Sequence, residues 1–137
     1  MDEQDRDKTE LFNSWNLKQQ ELDSKKRKLL FKEGEIWWCS IGMNVGQEVY
    51  GKGKNFSRPV IILKKLSHNF CIILPITTKG SRGMGLHALY TNKKERWIMM
   101  NQMRSISANR LYARESEMTE EDFIVLKKSV AQLLGLL

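Results

Sequence analysis

Apolar residues follow two different spacings along this chain. In the first segment, Leu11, Trp15 and Leu22 fall at helical intervals with Phe12 beside them, so the pattern predicts one helix over residues 7–26. The segments that follow are short runs rich in β-branched and aromatic residues, separated by turn signals such as SHN and KGSRGMG, and this is typical of strands. The predicted strands are EIWWCSI, RPVIILKKL, FCIILPIT, LHALYT and RWIMM.

Several short strands at this spacing predict a small β-barrel. The C-terminal segment MTEEDFIVLKKSVAQLLGLL returns to the helical spacing, with Thr119 as a candidate N-cap and acidic residues in the first turn. We therefore expect a mainly β domain over residues 31–137 with a C-terminal amphipathic helix, preceded by a helical extension over residues 1–30. The predicted buried face of the C-terminal helix consists of Phe123, Leu126, Val130 and Leu133.

The N-terminal extension needs a surface to pack on, because an isolated helix of this length is only marginally stable in water. We expect its stripe of Leu11, Trp15 and Leu22 to dock on the barrel or on a partner subunit. A competing hypothesis is that acidic residues near the start mimic phosphate and mask a basic groove. These acids are Asp2, Glu3, Asp5 and Asp7.

The sequence predicts a soluble, cytoplasmic protein without a membrane partner. No apolar stretch reaches the roughly 18 to 20 residues that a membrane span requires. The acidic start MDEQDRD is the opposite of the basic n-region of a signal peptide. Cys39 and Cys71 each lie among apolar residues without a neighbouring histidine, which predicts buried free thiols rather than a metal site.

The net charge of +7 comes entirely from residues 31–137, because residues 1–30 contain equal numbers of acidic and basic side chains. Ten Lys or Arg residues and a single acid, Glu95, lie between Val49 and Arg96. A basic face of this kind commonly binds the phosphates of nucleic acids. Composition alone fits an ordinary cationic surface equally well.

The residue inventory excludes two common kinds of enzyme site. The only histidines are His68, in a predicted hairpin turn, and His87, alone on a predicted strand, so neither a histidine pair nor a Ser-His-Asp triad can form. The glycines of KGSRGMG lack the spacing of a P-loop. Any chemistry must therefore come from Arg, Thr, Ser, Glu and Lys side chains.

Arg58 precedes Pro59, which restricts it to an extended backbone at the start of a strand. A planar guanidinium on such a rigid base suits a phosphate that gains charge during a reaction, and an ordinary surface ion pair is the alternative. Thr77 and Thr78 end a predicted strand in LPITTK. A hydroxyl at a strand end can point into a cleft, although threonine is also common in strands for its shape alone.

An ordered set of segments in this chain resembles the MazF/PemK family of toxin endoribonucleases from type II toxin–antitoxin pairs. The segments are GEIWWCSIGMNVGQE, SRPVIIL, LPITTK, NQMRSIS and the C-terminal amphipathic helix, from about Gly34 to Leu136. The resemblance implies an SH3-like, PemK-type barrel that is normally a homodimer. It also implies cleavage of single-stranded RNA at short sequences without a metal or other cofactor, a cognate antitoxin, and operator DNA bound together with that antitoxin.

By position within these motifs, the resemblance assigns catalytic roles to Arg58 and Thr77, and a base-like or substrate-positioning role to Glu48. RNA carries its own nucleophile, the 2′-OH, so Glu48 could accept its proton while Arg58 and Thr77 stabilise the phosphorane. Two positions depart from the family pattern: Gln47 replaces a small residue or histidine, and Asn101 replaces an acid. A mechanism that needs an acid or a histidine at either position is therefore disfavoured, which strengthens the assignment of the base-like role to Glu48.

Sequence specificity is expected in loops 43–57 and 79–86, which carry cations that can contact phosphates. In these loops Tyr50 or Phe56 could stack on a base, or could equally well anchor its own loop. The residues predicted to bind RNA are Gln47, Lys52, Lys54, Thr78, Lys79, Arg82, Asn101 and Gln102.

Two other functions are open at this point. A protein of the same fold could poison DNA gyrase by inserting its C-terminal residues, but LLGLL is predicted to belong to the core helix, which disfavours this function. The second alternative is a nucleic-acid-binding protein without nuclease activity, and Gln47 and Asn101 are the features that suggest it.

Overall fold

The computed structural model describes residues 3–26, 28–46, 48–80, 85–91 and 93–137, with only the backbone described for residues 3–7. Short 3-10 turns follow β5 and β6, and among the helices in these ranges none is long and apolar enough to cross a membrane. The helices and strands in chain order are α1 (Glu3–Asp23), β1 (Glu35–Ser40), β2 (Ser57–Ser67), β3 (Phe70–Thr77), β4 (Leu86–Thr91), β5 (Lys94–Met99), β6 (Arg104–Ser107), β7 (Leu111–Glu117) and α2 (Glu120–Leu133).

The strands form one antiparallel sheet in the order β4-β5-β3-β2-β1-β7, and β6 also pairs with β3. β6 and β7 therefore lie at opposite ends of the path β6-β3-β2-β1-β7, although only the 3-10 turn Ala108–Arg110 separates them in sequence. A connection this short brings the two ends of the path together, so the sheet curls into a small barrel. The prediction of a mainly β, barrel-type domain with a helix at each end is confirmed.

The central strands β2 and β3 bury side chains on both faces, which explains their unbroken apolar runs. Successive side chains of a strand point to opposite faces. Val60 and Ile62 therefore pack into one apolar cluster, and Ile61 packs into a second cluster that α2 covers with Leu126 and Val130. The predicted buried face of α2 is confirmed, and so are the predicted positions of the two central strands.

The structure contains two strands that the sequence pattern did not predict. β6 has four residues, and β7, with the sequence LYARESE, is dominated by polar side chains. Neither sequence shows a clear alternation of apolar and polar residues, so each strand is recognised mainly by its pairing with β3 or β1. All of the strands that were predicted are present.

Helix α2 begins with the predicted cap, since the Thr119 hydroxyl accepts a hydrogen bond from the Asp122 N–H at 3.2 Å. The helix ends at Leu133, and Gly135 then adopts a φ of +73°, a conformation that commonly terminates helices. The prediction that all of LLGLL belongs to the core helix is wrong, because the chain turns away from the apolar cluster at this glycine. The exposed residues here are Leu134, Leu136 and Leu137.

Helix α1 packs on the barrel through Trp15 and Leu22, which are only 5% and 4% exposed. The Trp15 ring lies 5.4 Å from the Phe56 ring, and the Arg110 guanidinium lies 5.4 Å from the Trp15 ring. The Asn109 side-chain amide donates a hydrogen bond to the Leu22 carbonyl at 3.1 Å. The predicted docking of the extension on the barrel is confirmed for these two residues.

The first half of α1 departs from the prediction. The helix begins at Glu3, because acidic residues are favourable in a first helical turn, and it ends at Asp23. Leu11 and Phe12 are each 42% exposed, and they border a groove beside the β1–β2 loop instead of docking. The masking hypothesis stays untested, because it concerns acids whose side chains lie outside the described residues: Asp2, Glu3, Asp5 and Asp7.

The β1–β2 loop, residues 41–56, is long but is held at both ends. The Gly42 N–H donates to the Phe56 carbonyl at 3.0 Å, and the Gly51 N–H donates to the Gly42 carbonyl at 2.7 Å. Gly42 has a φ of +97° and lies directly against the Trp15 indole, so a side chain at this position would collide with the ring. Trp15 thus supports the point where the two ends of the loop meet.

Cys39 and Cys71 are buried free thiols, as predicted. Burial raises the pKa of Cys39 to about 12 and the pKa of Cys71 to about 11. Both thiols are therefore protonated at neutral pH and serve as small apolar core residues.

We predict that Trp15→Ala lowers the free energy of unfolding by about 3–5 kcal/mol, the usual result of truncating a buried large aromatic side chain. The loss arises from its contacts with Gly42 and Phe56. Urea unfolding measures the change. Leu17→Ala is the matched control on the same helix, because Leu17 is 68% exposed and its truncation should change stability by less than about 0.5 kcal/mol. Equal stability of the two variants would contradict the docking of α1.

Candidate active site

Arg58 lies near the start of β2, where it pairs with Cys39 of β1 and precedes Pro59. Its Nε–H donates a hydrogen bond to the Tyr50 carbonyl of the β1–β2 loop. The Arg58 guanidinium also lies 5.7 Å from the centre of the Tyr50 ring. These contacts orient the guanidinium, and the predicted place of Arg58 on an extended backbone at the start of a strand is confirmed.

The outer edge of the Arg58 guanidinium is open. In the part of the chain that the structure describes, neither Nη1 nor Nη2 of Arg58 has a hydrogen-bond or ion-pair partner. Burial lowers the pKa of Arg58, and Tyr50 partly opposes this shift. The pKa of arginine is normally so high that the side chain nevertheless keeps its charge at neutral pH. Arg58 therefore lines the cleft with two charged donor groups that have no partner among the described residues.

Arg58 and Thr77 line the same cleft, which has a volume of about 390 Å³. The recorded β2–β3 pairing starts at Val60 and Pro75, two residues from Arg58 and from Thr77, so the two residues lie at the same end of the paired strands. Thr77 is the last residue of β3, and its hydroxyl accepts a hydrogen bond from the Lys79 N–H at 3.1 Å. The antiparallel pairing of the two strands thus brings the two predicted residues together.

The same cleft is lined by two further residues from the predicted RNA-binding set. Thr78 follows the end of β3, and Lys52 comes from the β1–β2 loop. Lys94 of β5 also lines the cleft and was not predicted. Because Arg58, Lys52 and Lys94 are all cationic, the cleft suits an anionic ligand.

A buried ion pair forms part of the cleft wall. Arg96 is 3% exposed, and its Nη1 donates to Glu115 at 2.9 Å while its Nη2 donates to the Thr91 hydroxyl at 2.6 Å. Burial acts to raise the pKa of Glu115, but the hydrogen bonds and charge of Arg96 outweigh it and lower this pKa below its ordinary value. Sequence reasoning missed the pair, because its partners lie on β5 and β7 and no local spacing connects them.

Glu48 lies in a neighbouring cleft of about 350 Å³, apart from the Arg58 cleft. Its carboxylate accepts a hydrogen bond from the Val45 N–H at 3.0 Å. The structure therefore divides the predicted site residues between two clefts. The lining of the second cleft includes Glu48, Asn101, Gln102 and Arg104.

The short segment 48–50 separates the two clefts and contacts both. The Val49 N–H donates to the Gln102 side chain at 3.2 Å, and the carbonyl of the next residue, Tyr50, accepts the hydrogen bond from Arg58. Glu48 is therefore two residues along the backbone from the group that orients Arg58. A small change in this segment would alter both clefts together.

Two of the other residues predicted to bind RNA lie outside both clefts, and two lie outside the described residues. Lys54 and Lys79 are exposed and line neither of these two clefts. Gln47 and Arg82 lie outside the described residues. The assignments of these four residues to RNA binding stay predictions.

The two loop aromatics have different environments. Phe56 is 6% exposed and packs against Trp15, so it anchors its own loop. Tyr50 is 46% exposed, and one side of its ring faces Arg58. Of the two aromatics, Tyr50 alone keeps a face accessible to a ligand.

Neither histidine lies in these clefts. His68 is exposed in the β2–β3 turn, and His87 is half-buried on β4, where burial lowers its pKa and Asp122 opposes the shift. Among the described residues, no group of three or more His, Cys, Asp or Glu side chains could hold a metal ion.

Residues 32–134 match the family model described as the PemK-like, MazF-like toxin of type II toxin–antitoxin systems. This match covers far more than half of the chain. The chain belongs to the PemK/MazF toxin family. The matched region contains the barrel, both clefts and α2, whereas α1 precedes it.

Solved structures of toxins in this family share the fold. MazF from Deinococcus radiodurans aligns with a TM-score of 0.64 and 17% identity over 78% of this chain and 98% of that chain. An endoribonuclease in complex with its cognate antitoxin, from a mycobacterial species, aligns with a TM-score of 0.61 and 13% identity over 79% and 98% of the two chains. A chain of a MazE–MazF crystal structure from Deinococcus radiodurans aligns with a TM-score of 0.61 and 14% identity over 80% of this chain and 99% of that chain. At these identities, the likeness establishes the fold alone.

A comparison with curated protein sequences found no match. The family assignment therefore depends on the family model, and the structural likeness supports it at the level of fold.

Proposed function

We propose that this protein is a metal-independent endoribonuclease that cuts single-stranded RNA at specific short sequences. In the proposed reaction Glu48 takes the 2′-OH proton as the 2′-oxygen attacks the adjacent phosphorus. The bond from phosphorus to the 5′-oxygen breaks, and the departing 5′-oxygen takes a proton from solvent water. The products are a 2′,3′-cyclic phosphate and a 5′-hydroxyl. The observation that carries the proposal is the cationic cleft that Arg58, oriented by Tyr50, lines together with Thr77.

Arg58 is assigned to stabilise the charge that develops on the phosphorane. Its Nε is already bound to the Tyr50 carbonyl, so Nη1 and Nη2 are the groups that can donate two parallel hydrogen bonds to phosphate oxygens. An oriented donor requires little reorganisation during the reaction, which is the main source of this kind of catalysis. Arg58 acts by its charge rather than as the acid, because a guanidinium releases a proton poorly even when burial lowers its pKa.

Thr77 is assigned as a third donor to the same phosphate. Its hydroxyl contacts the backbone of Lys79 in the free protein, and a bound phosphate oxygen would exchange for that contact. Lys52 and Lys94, which line the cleft, would bind the flanking phosphates of the RNA.

Glu48 is assigned as the base that removes the 2′-OH proton. The carboxylate in the Arg58 cleft, Glu115, is a poor base because Arg96 holds it in a buried pair and lowers its pKa. Among the described residues, the one partner of the Glu48 carboxylate is the Val45 N–H, and the Glu48 backbone is two residues from Tyr50. RNA binding must therefore move the Glu48 carboxylate from Val45 into the adjoining cleft. Hydrogen bonds of catalytic groups are often completed only when substrate binds.

The proposal includes the partners that family membership suggests. A structure in this family has been solved as an endoribonuclease with its cognate antitoxin, and we infer that a cognate antitoxin neutralises this chain in the cytoplasm.

We also infer a homodimer, in which a second copy extends the basic groove. Mass measurement in solution tests the dimer, and a monomer well into the micromolar range would remove the extended groove. Operator DNA binding with the antitoxin is a further proposal, tested by a gel shift with and without the antitoxin.

Poisoning of DNA gyrase is the second candidate. Leu134, Leu136 and Leu137 are exposed, so the argument that these residues belong to the core does not apply. This candidate leaves Arg58 and Thr77 without a role. The Arg58 variants described below distinguish the two functions. A gyrase poison would stay toxic when Arg58 is replaced, whereas an endoribonuclease would not.

We predict that Arg58→Ala lowers the rate of RNA cleavage by at least about 10²–10³-fold, the typical loss when one oriented donor to a charged intermediate is removed. Arg58→Lys should restore little, since an ammonium keeps the charge but not the bidentate geometry. Cleavage of a labelled RNA measures both effects. Lys64→Ala is the matched control, because it removes a cation from the same strand outside the cleft. Unchanged activity in a folded Arg58→Ala protein would contradict the mechanism.

We predict that Glu48→Gln flattens the rising limb of the pH profile of kcat/KM, because the amide cannot accept the 2′-OH proton. The glutamine oxygen can still accept the hydrogen bond from Val45, so the loop conformation should be preserved. Glu21→Gln, an exposed change on α1, serves as the control. A lower rate with an unchanged pH profile would assign Glu48 to substrate positioning and leave another group as the base.

A further inference from the structure

We propose that the groove between α1 and the β1–β2 loop is a nucleobase-binding subsite, with the exposed face of Phe12 as the surface on which an unpaired base stacks. The inference rests on the proposed RNA function, and it names a contact that deepens it. The occupant is one base of the RNA strand whose scissile phosphate lies at Arg58. The groove has a volume of about 560 Å³, within the usual range for ligand pockets.

Both walls of the groove are fixed. On one side, α1 is anchored by the buried Trp15 and Leu22 and by the hydrogen bond from Asn109. On the other side, the loop ends are joined by backbone hydrogen bonds between Gly42, Gly51 and Phe56. A groove with fixed walls loses little conformational entropy when a ligand enters, which favours binding.

The lining of the groove suits a base attached to a phosphate backbone. Leu11, Phe12 and Tyr50 present apolar and aromatic surface, and they are between 42% and 46% exposed. Lys8 and Lys52 supply positive charge, and no acidic side chain lines the groove among the residues that the structure describes. Aromatic faces next to cations are the usual combination for binding single-stranded nucleic acid.

The groove is continuous with the Arg58 cleft. Lys52 and Gly53 line both of them, so an RNA strand bound at Arg58 can pass directly into the groove. Tyr50 lies at the same boundary, because its ring borders the groove and also faces the Arg58 guanidinium. Charge and continuity together favour a segment of RNA over an apolar protein segment as the occupant.

The Phe12 side of the groove lies outside the region that the family model matches, which begins at residue 32. A base stacked on α1 would therefore add affinity that the barrel alone does not provide, with little discrimination among bases, because every base has a face that can stack. The long N-terminal helix would then take part in substrate recognition as well as in stability.

The subsite is tested with single-stranded oligonucleotides that contain the mapped cut site and a 2′-deoxy nucleotide at that position, which removes the nucleophile. If no RNA is cut, unmodified single-stranded RNAs of the same length are used instead. A series of these RNAs, each lacking one base near the cut site, is titrated against wild-type protein. Loss of the stacked base should raise Kd by about 5- to 100-fold at one position. Phe12→Ala should raise Kd for the intact RNA by a similar factor. The Kd of this variant should not rise further when the same base is absent, because the two changes remove the same contact.

Leu17→Ala is the matched control, because it truncates an exposed apolar side chain of the same helix that does not line the groove. It should bind every oligonucleotide as the wild type does, and all proteins should show the same urea midpoint. The subsite would be overturned if wild-type protein cuts unmodified RNA while Phe12→Ala and Leu17→Ala bind the oligonucleotides with the same Kd. That result would leave the proposed function intact. Phe12-dependent binding without any cleavage would overturn the proposed function and support the subsite. Wild-type protein that neither binds nor cuts RNA would overturn both.

Discussion

The hydrogen bond from Arg58 Nε to the Tyr50 carbonyl connects the two parts of the molecule on which the site depends. It joins a rigid strand of the barrel to a long loop that carries Glu48 and Lys52. Through this bond, the loop sets the plane of the guanidinium and leaves its two terminal amino groups without a partner among the described residues. An arginine held only by its own backbone would sample many rotamers, and its charge would be spread over a wider region of the surface.

The loop can hold Arg58 only because other contacts hold the loop. Trp15 of α1 fills the space against Gly42 and Phe56, where the ends of the loop meet. Helix α1 is therefore part of the support for the site, although it lies outside the residues that the family model matches. The buried Arg96–Glu115 pair supports the opposite side of the cleft and keeps that carboxylate ionised and occupied. The groove beside Phe12 arises from the same packing of α1 on the loop.

Much of the fold could be predicted from the sequence, because the apolar runs of β2 and β3 and the stripe of α2 are strong local signals. β7 could not be predicted, since its polar sequence becomes a strand only through pairing with β1. Arg58 and Thr77 were identified from motif position and lie together because the strand register places them so. The Arg96–Glu115 pair and the separation of Glu48 into another cleft depend on contacts between distant segments, which local spacing does not encode.

The central claim is that the RNA supplies its own nucleophile and that the oriented Arg58 stabilises the resulting charge. Analysis of fragment ends tests this claim most directly, with purified protein and a single-stranded RNA incubated in the presence of EDTA. The account predicts continued cleavage, with a 2′,3′-cyclic phosphate on one fragment and a 5′-hydroxyl on the other, because attack by the 2′-oxygen needs no metal-bound water. Cleavage that requires added Mg²⁺, or fragments that carry a 5′-phosphate, would contradict it.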